Sequence, residues 1–81
     1  MKRLFPPVAS GTYEHVTGHV SEQMAYFMGD AQRHTGMEAL IRRERAYGLY
    51  MGWRALAVEM VDAEAFARDD KRLETLLIIN P

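Results

Sequence analysis

The segment Thr35 to Val61, TGMEALIRRERAYGLYMGWRALAVEMV, decides the predicted fold. It contains no proline, and its apolar residues recur at helical spacing over its whole length. Thr35 and Glu38 stand in the T-x-x-E arrangement of a capping box, in which two backbone N–H groups of the first turn gain side-chain acceptors. We therefore predict a long central helix over residues 36–61, with the rest of the chain packed against it.

The apolar residues of this segment fall on more than one side of the predicted helix. One set lies on or near a broad face that we expect to enter the core: Leu40, Ile41, Tyr47, Met51, Ala55, Val58 and Val61. A second set lies partly off that face: Leu49, Tyr50, Trp53, Leu56 and Met60. A helix that is apolar most of the way round is usually buried all round. In so short a chain, this pattern predicts burial against a second subunit or another protein.

Gly48 and Gly52 lie four residues apart inside the predicted central helix. Small residues one turn apart let a second helix approach closely, a rule best known from membrane helices. The alternative is that the two glycines break the helix, because glycine is about 1 kcal/mol less favourable than alanine in a helix interior. The sequence leaves both interpretations open.

Size and composition narrow the class of protein. A chain of 81 residues with a net charge of -1 and no cysteine predicts one domain over residues 1–81, without disulfides or thiolate metal sites. The near-zero charge argues against a dedicated nucleic-acid binder. No apolar run approaches the roughly 20 residues of a membrane span. We therefore expect a cytoplasmic protein without a membrane partner, since the lack of cysteine also fits a reducing compartment.

The first part of the chain predicts an extended lead-in followed by a helix. Pro6 and Pro7 prevent a helix from passing through residues 1–10. Beyond them, a helix over residues 12–34 is predicted by apolar residues at steps of three and four: Val16, Val20, Met24, Phe27 and Ala31. The alternative is a short strand over residues 12–17 and a helix that begins at Ser21. The short connection to the central helix predicts an antiparallel pair or a sharp corner.

The last part of the chain predicts a third helix over residues 63–78, with Asp62 as its N-cap. Its apolar face is formed by Phe66, Leu73, Leu76 and Leu77, and its outer side by Asp69, Asp70, Lys71, Arg72 and Glu74. Residues 76–79 are all apolar and form either a buried helix end or a short strand. The chain as a whole predicts a small all-α domain of three helices, for which oligomerisation is one way to complete the core.

Few residues are arranged as a catalytic or metal site would require. His15 and His19 are four residues apart and share one helix face, a spacing that can bind a metal. The zinc-protease pattern, however, needs a glutamate directly after the first histidine, where Val16 stands. Third ligands are offered by Glu22, Asp30 and His34, but no spacing fixes one of them. With no nucleophile elbow and no phosphate-binding glycine loop, we predict no metal, no cofactor and no enzymatic activity.

Two functions follow from these patterns. The first is a non-enzymatic protein-interaction module (a subunit, adaptor or inhibitor) that binds another protein or a second copy of itself. Its predicted binding surface is apolar and aromatic, with flanking arginines: Leu49, Tyr50, Trp53, Arg42, Arg43 and Arg45. The alternative is DNA binding through a divergent helix-turn-helix that turns at Gly48 and Gly52. Its second helix would read WRALAVEMVD, which offers one arginine and two acidic residues to the DNA.

Overall fold

A computed structural model describes residues 10–78, and this part of the chain forms three α-helices. Helix α1 spans Ser10–Ala31, α2 spans Gly36–Ala57 and α3 spans Ala63–Thr75. The predicted all-α fold is confirmed. The predicted lead-in falls on residues 1–9, which lie outside the described residues, and on Ser10, which already belongs to α1.

Helix α1 is continuous, so the alternative with a strand over residues 12–17 and a helix start at Ser21 is wrong. The helix ends at Ala31, three residues before the predicted end. There the backbone tightens, since the N–H groups of Gln32, Arg33 and His34 each bond the carbonyl oxygen three residues earlier, at 3.0–3.2 Å. These bonds close a short turn that leads directly into α2.

The start of α2 depends on backbone conformation more than on a side-chain cap. Thr35 is the N-cap residue, as predicted, but its side chain makes no capping hydrogen bond. The carboxylate of Glu38 instead accepts a hydrogen bond of 2.8 Å from Arg42. Gly36 has a φ of 58°, a left-handed conformation that glycine adopts without a steric penalty. The predicted hydrogen bonds of the capping box are therefore wrong, and the sharp turn into α2 is made by Gly36.

Helix α2 passes through Gly48 and Gly52 without interruption, so of the two interpretations the one in which the glycines break the helix is wrong. The helix ends at Ala57 instead of residue 61, and residues 58–60 form a turn in which the N–H of Met60 bonds the carbonyl of Ala57 at 3.0 Å. Asp62 caps α3 as predicted, since its side chain accepts from the N–H of Ala65 at 2.8 Å.

Helix α3 is shorter than predicted and ends at Thr75. Leu76 and Leu77 form a turn and are half-buried against the core, so the predicted helix end or strand over residues 76–79 is wrong for this part. Ile78 is exposed, and Ile79 lies outside the described residues.

The three helices run antiparallel to their neighbours along the chain. The end of α1 lies beside the start of α2, where Asp30 meets Arg42, and the start of α1 lies beside the end of α2, where Thr17 meets Trp53. Helix α3 then returns along α2, since Phe66 stacks on Trp53. Helix α2 therefore contacts both other helices and is the central helix that the sequence predicted.

The core is formed by the side of α2 that we did not expect to be buried. The buried residues of α2 follow steps of seven, four, three and four: Ala39, Ala46, Tyr50, Trp53 and Ala57. The face that was predicted to enter the core is exposed along most of its length. The largest fully buried side chains of the neighbouring helices are Met24 of α1 and Leu73 of α3.

Packing explains this orientation. Three alanines on the buried side allow α1 to lie close to α2, and the two aromatic rings between them carry polar atoms that need partners when buried. Those partners exist on this side only: the indole N–H of Trp53 donates to Thr17 Oγ1 at 2.9 Å, and the hydroxyl of Tyr50 donates to Asp70 at 2.6 Å. The aliphatic side of α2 is left without a neighbouring helix in the described chain.

Candidate interaction surface

The side of α2 that faces away from α1 and α3 is an apolar surface, which we call the outer face. It is formed by Met37, Leu40, Ile41, Glu44, Tyr47, Met51, Ala55 and Val58, all of them exposed. Its six large apolar side chains are between 39% and 68% exposed. Single exposed apolar residues are common on proteins, but a contiguous row of them along six turns of one helix is not.

A groove between α1 and α2 continues the outer face on one side. It has a volume of about 560 Å³ and is open to solvent, and its lining is almost entirely apolar: Val16, Val20, Phe27, Arg45, Gly48, Leu49, Gly52, Trp53, Leu56 and Met60. At one end the guanidinium of Arg45 lies 5.9 Å above the ring of Phe27. We call this space the α1–α2 groove.

Gly48 and Gly52 lie where the outer face and the α1–α2 groove meet. Both glycines are exposed, and no atom comes within 4 Å of the position that a Cβ would occupy on either. No helix in residues 10–78 therefore packs on this strip. The predicted close helix approach at Gly48 and Gly52 stays a prediction about another chain.

Two residues of the predicted binding surface belong to the core. Tyr50 and Trp53 are 4% and 3% exposed, and their rings stack with centroids 6.4 Å apart. Leu49 is half-buried and lines the groove. The two rings are therefore not available on the surface of this fold, because the hydrogen bonds of their polar atoms direct them toward α1 and α3.

The three predicted flanking arginines differ in their surroundings. Arg42 bonds Asp30 at 2.6 Å and Glu38 at 2.8 Å, so it links α1 to α2. The hydrogen bond from Arg42 is the main cause that holds the pKa of each carboxyl below its ordinary value. Arg43 is half-buried, whereas Arg45 is exposed beside the groove. Of the three, Arg45 is the one placed to meet a partner in the groove.

The predicted helix-turn-helix is wrong, because α2 has no turn at Gly48 or Gly52. Arg54 is the one arginine of the predicted DNA-reading helix, and it instead contacts other residues of this fold. Its Nε is 2.9 Å from a carboxylate oxygen of Asp70, at an angle that makes no hydrogen bond, and its guanidinium lies 5.8 Å above the ring of Phe66. DNA binding thus loses the motif on which it rested.

His15 and His19 are both exposed on α1. Across residues 10–78, no three side chains of the metal-binding types come together in a way that would hold an ion. Within the same residues, no helix has the length and apolarity needed to cross a membrane.

The sequence did not reveal a set of buried polar pairs. Asp69 was expected on the outer side of α3, but it is 6% exposed and accepts a hydrogen bond of 2.6 Å from the Tyr13 hydroxyl. Burial and this bond raise the pKa of Tyr13 to about 12. Burial alone would raise the pKa of Asp69, but hydrogen bonds from Arg68 and Tyr13 outweigh it, and the pKa is lowered.

One signal for these pairs was present in the sequence. Tyr13 and Thr17 continue the apolar rows of α1 toward its N-terminus at helical spacing, so their burial follows from the same periodicity that predicted the helix. No comparable signal marked Asp69 and Asp70, since aspartates in a charged run are normally solvent-exposed. The tyrosine hydroxyls that face α3, together with the neighbouring arginines, account for their position.

Comparison of the chain with protein-family models, with curated proteins and with solved structures finds no match. The function is therefore inferred from the chain's own residues.

The outer face and the α1–α2 groove are together almost entirely apolar. Within them, Glu44 and Arg45 are the charged residues, and Tyr47 is the residue whose side chain carries a hydroxyl. Such a surface suits the burial of another apolar surface, since the free energy gained on burial grows with the apolar area removed from water.

Proposed function

We propose that this protein is a non-enzymatic interaction module that binds another protein chain through the outer face of α2 and the adjoining groove. One observation carries the proposal: α2 buries one side in its own core and exposes six large apolar side chains on the other. A helix with apolar residues on both sides is normally buried on both. The described chain covers only one of them.

The surface is rigid enough to bind without a large ordering cost. Helix α2 is fixed to α1 through the Trp53–Thr17 hydrogen bond and the Arg42–Asp30 ion pair, and to α3 through the Tyr50–Asp70 hydrogen bond. A binding face on a helix that is held from behind loses little conformational freedom when a partner docks.

The composition of the face fits a protein partner. Tyrosine and methionine are enriched at protein interfaces, and the outer face contains Tyr47 between Met37 and Met51. A subunit, an adaptor and an inhibitor all use such a surface, and they differ in the partner alone. We also propose a cytoplasmic location, which is supported by the absence of cysteine.

Site-specific photo-crosslinking tests whether this face is covered in the cell. The photo-reactive amino acid benzoylphenylalanine is placed at Tyr47 on the outer face, and at Lys71, an exposed residue of α3, as the matched control. We expect a discrete protein adduct from position 47 after irradiation and none from position 71. An adduct with a foreign protein and an adduct with a second copy of this chain both count as this result.

A second substitution shows whether the adduct depends on apolar contact. Met51→Glu puts a charge one helical turn from Tyr47, where it should abolish the adduct while circular dichroism shows an unchanged helix content. Equal adducts from positions 47 and 71, or an adduct that survives Met51→Glu, would mean that this face is not the binding surface.

A further inference from the structure

We propose that the partner on the outer face is a second copy of this chain, with the two α2 helices crossing antiparallel between Gly48 and Gly52. This inference rests on the proposed function and names the partner of the same surface. It follows from the area of the face, from its single charge and from the position of the two glycines.

The exposed apolar area supplies more than half of what one subunit of a standard-size interface buries. Large apolar side chains present roughly 150–200 Å² when fully exposed, so the six on the outer face, at about half exposure, present about 450–600 Å². This equals the upper end of the largest apolar patches on typical monomers, about 300–600 Å². A standard interface buries about 800 Å² on each partner. The apolar rim of the α1–α2 groove, where Leu56 is exposed, adds further apolar area.

The face is complementary to itself. In a two-fold dimer the same patch meets its own copy, so any charge near the axis meets an equal charge. The outer face carries a single charged residue, Glu44, which lies between Ile41 and Tyr47. A patch with one charge can pack against its copy without like charges in contact when the two-fold axis lies away from that charge.

The position of Glu44 determines the relative direction of the two helices. In a parallel, in-register pair, Glu44 would lie against Glu44 of the second copy, which is destabilising. In an antiparallel pair that crosses midway between Gly48 and Gly52, each Glu44 lies six residues from the crossing, or about 9 Å along the axis. The two carboxylates are then about 18 Å apart, beyond the screening length of about 8 Å at physiological salt.

The crossing point also has the most room for a second helix. No atom of the described part of the chain, residues 10–78, lies within 4 Å of a Cβ position at Gly48 or Gly52, so a helix can approach the α2 backbone there. Tyr47 and Met51 of one copy then pack beside the glycines of the other. The two outer faces then bury each other between the two copies of α2.

Light scattering in line with size-exclusion chromatography tests whether the second copy binds. Untagged protein is measured from 1 to 100 μM, together with Met51→Glu. We expect a mass of twice the 9.3 kDa chain at the higher concentrations, and a single-chain mass for Met51→Glu. A wild-type mass of one chain throughout the range would overturn the proposal.

Cysteine cross-linking tests the direction, because the chain has no cysteine of its own. Met51→Cys lies beside the proposed crossing, whereas Met37→Cys lies 13 residues away, about 20 Å along the axis. With a short bismaleimide, we expect rapid linkage of two Met51→Cys chains and only the slow collisional rate for Met37→Cys. Equal linkage at both positions would indicate a parallel pair and overturn the antiparallel arrangement.

These outcomes separate the two proposals. A monomer that still gives a Tyr47 photo-adduct with a foreign protein would refute self-association and leave the interaction module standing. A monomer with no adduct at position 47 would refute both. Circular dichroism of every variant shows that a lost dimer is not simply a lost fold.

Discussion

At the scale of single residues, the fold depends on polar atoms that are buried and paired. The indole N–H of Trp53 has the hydroxyl of Thr17 as its one partner, and both residues are almost fully buried. We expect Thr17→Val to lower the free energy of unfolding by about 1–3 kcal/mol, because it leaves the indole N–H buried without an acceptor. Urea denaturation monitored by circular dichroism measures the change in the free energy of unfolding.

The matched control for this substitution is Thr12→Val, which makes the same chemical change at an exposed position of the same helix. It should shift the free energy of unfolding by no more than about 0.5 kcal/mol. If the two variants are equally stable, the Thr17–Trp53 bond makes no net contribution and the core is held by apolar packing alone.

The buried tyrosine hydroxyls predict how the protein responds to alkali. Burial, with the hydrogen bonds to Asp69 and Asp70, raises the pKa of Tyr13 and Tyr50 to about 12, against about 10 in the unfolded chain. The resulting stability is fully present below pH 10 and is lost as the pH rises toward 12. Phenolate absorbance should show two late ionisations, and Tyr13→Phe and Tyr50→Phe should each remove one. An unchanged titration in both variants would contradict this assignment.

Which polar residues are buried could be predicted only in part at this scale. Thr17 follows the apolar spacing of α1, so its burial was within reach of the sequence. The positions of Asp69 and Asp70 could not be predicted. A run of charged residues is typical of a solvent-exposed surface, and the tyrosines that donate hydrogen bonds to these two are distant in sequence. Tyr13 lies 56 residues from Asp69.

At the scale of elements, α3 is attached to the helical pair by apolar contacts of Phe66 and Leu73 and by two acidic side chains, Asp69 and Asp70. Hydrogen bonds and the charges of Arg68 and Arg72 lower the pKa of Asp69 despite its burial. A lowered carboxyl pKa adds stability above the ordinary range, about 3.9, and this stability is lost as the pH falls through the folded-state pKa. We therefore expect stability to decline below about pH 4, with α3 affected first.

Amide hydrogen exchange between pH 5 and pH 3, corrected for the intrinsic rates, measures this loosening. Protection in α3 should fall before protection in α1 and α2. Asp69→Asn, which cannot ionise, should show weaker pH dependence in α3, although its protection at pH 5 is lower. Simultaneous loss of protection in all three helices would show that α3 does not loosen separately.

The existence and order of the three helices followed from the sequence, but the orientation of α2 did not. Apolar spacing, Asp62 as a cap and the lack of internal prolines were enough to place each helix within a few residues. The prediction exchanged the buried and the exposed side of α2. Both sides are apolar, and the spacing of apolar residues gives no preference between them. Ala46 and Ala57 look weaker as core residues than Leu40 and Met51, yet close packing against α1 selects the small residues.

At the scale of the whole molecule, the apolar outer face of α2 is the feature that residues 10–78 leave uncovered. The sequence predicted apolar residues on more than one side of α2, and one of these sides is exposed in residues 10–78. It lies on Tyr47 and Met51 and not on Tyr50 and Trp53. An exposed apolar surface on α2 was therefore predictable from the sequence, but its position was not, because the position depends on which side of α2 the core selects.

Gly52→Ala gives the proposed dimer a prediction with opposite effects on the single chain and on the pair. In the single chain no atom of residues 10–78 lies within 4 Å of the new methyl group, and alanine is about 1 kcal/mol more favourable than glycine in a helix. In the dimer the same methyl group separates two closely packed backbones. We expect the melting temperature of the variant to exceed that of the wild type in dilute solution and to rise less with concentration.

Gly18→Ala is the matched control, because Gly18 also lies inside a helix with no atom within 4 Å of its Cβ position, but on α1 and outside both the outer face and the groove. Its melting temperature should rise by a similar amount at every concentration, parallel to the wild type. Scanning calorimetry from 5 to 200 μM compares the three proteins. If Gly52→Ala keeps the wild-type concentration dependence, the two α2 helices do not approach each other at this glycine, and a dimer would have to form elsewhere on the outer face.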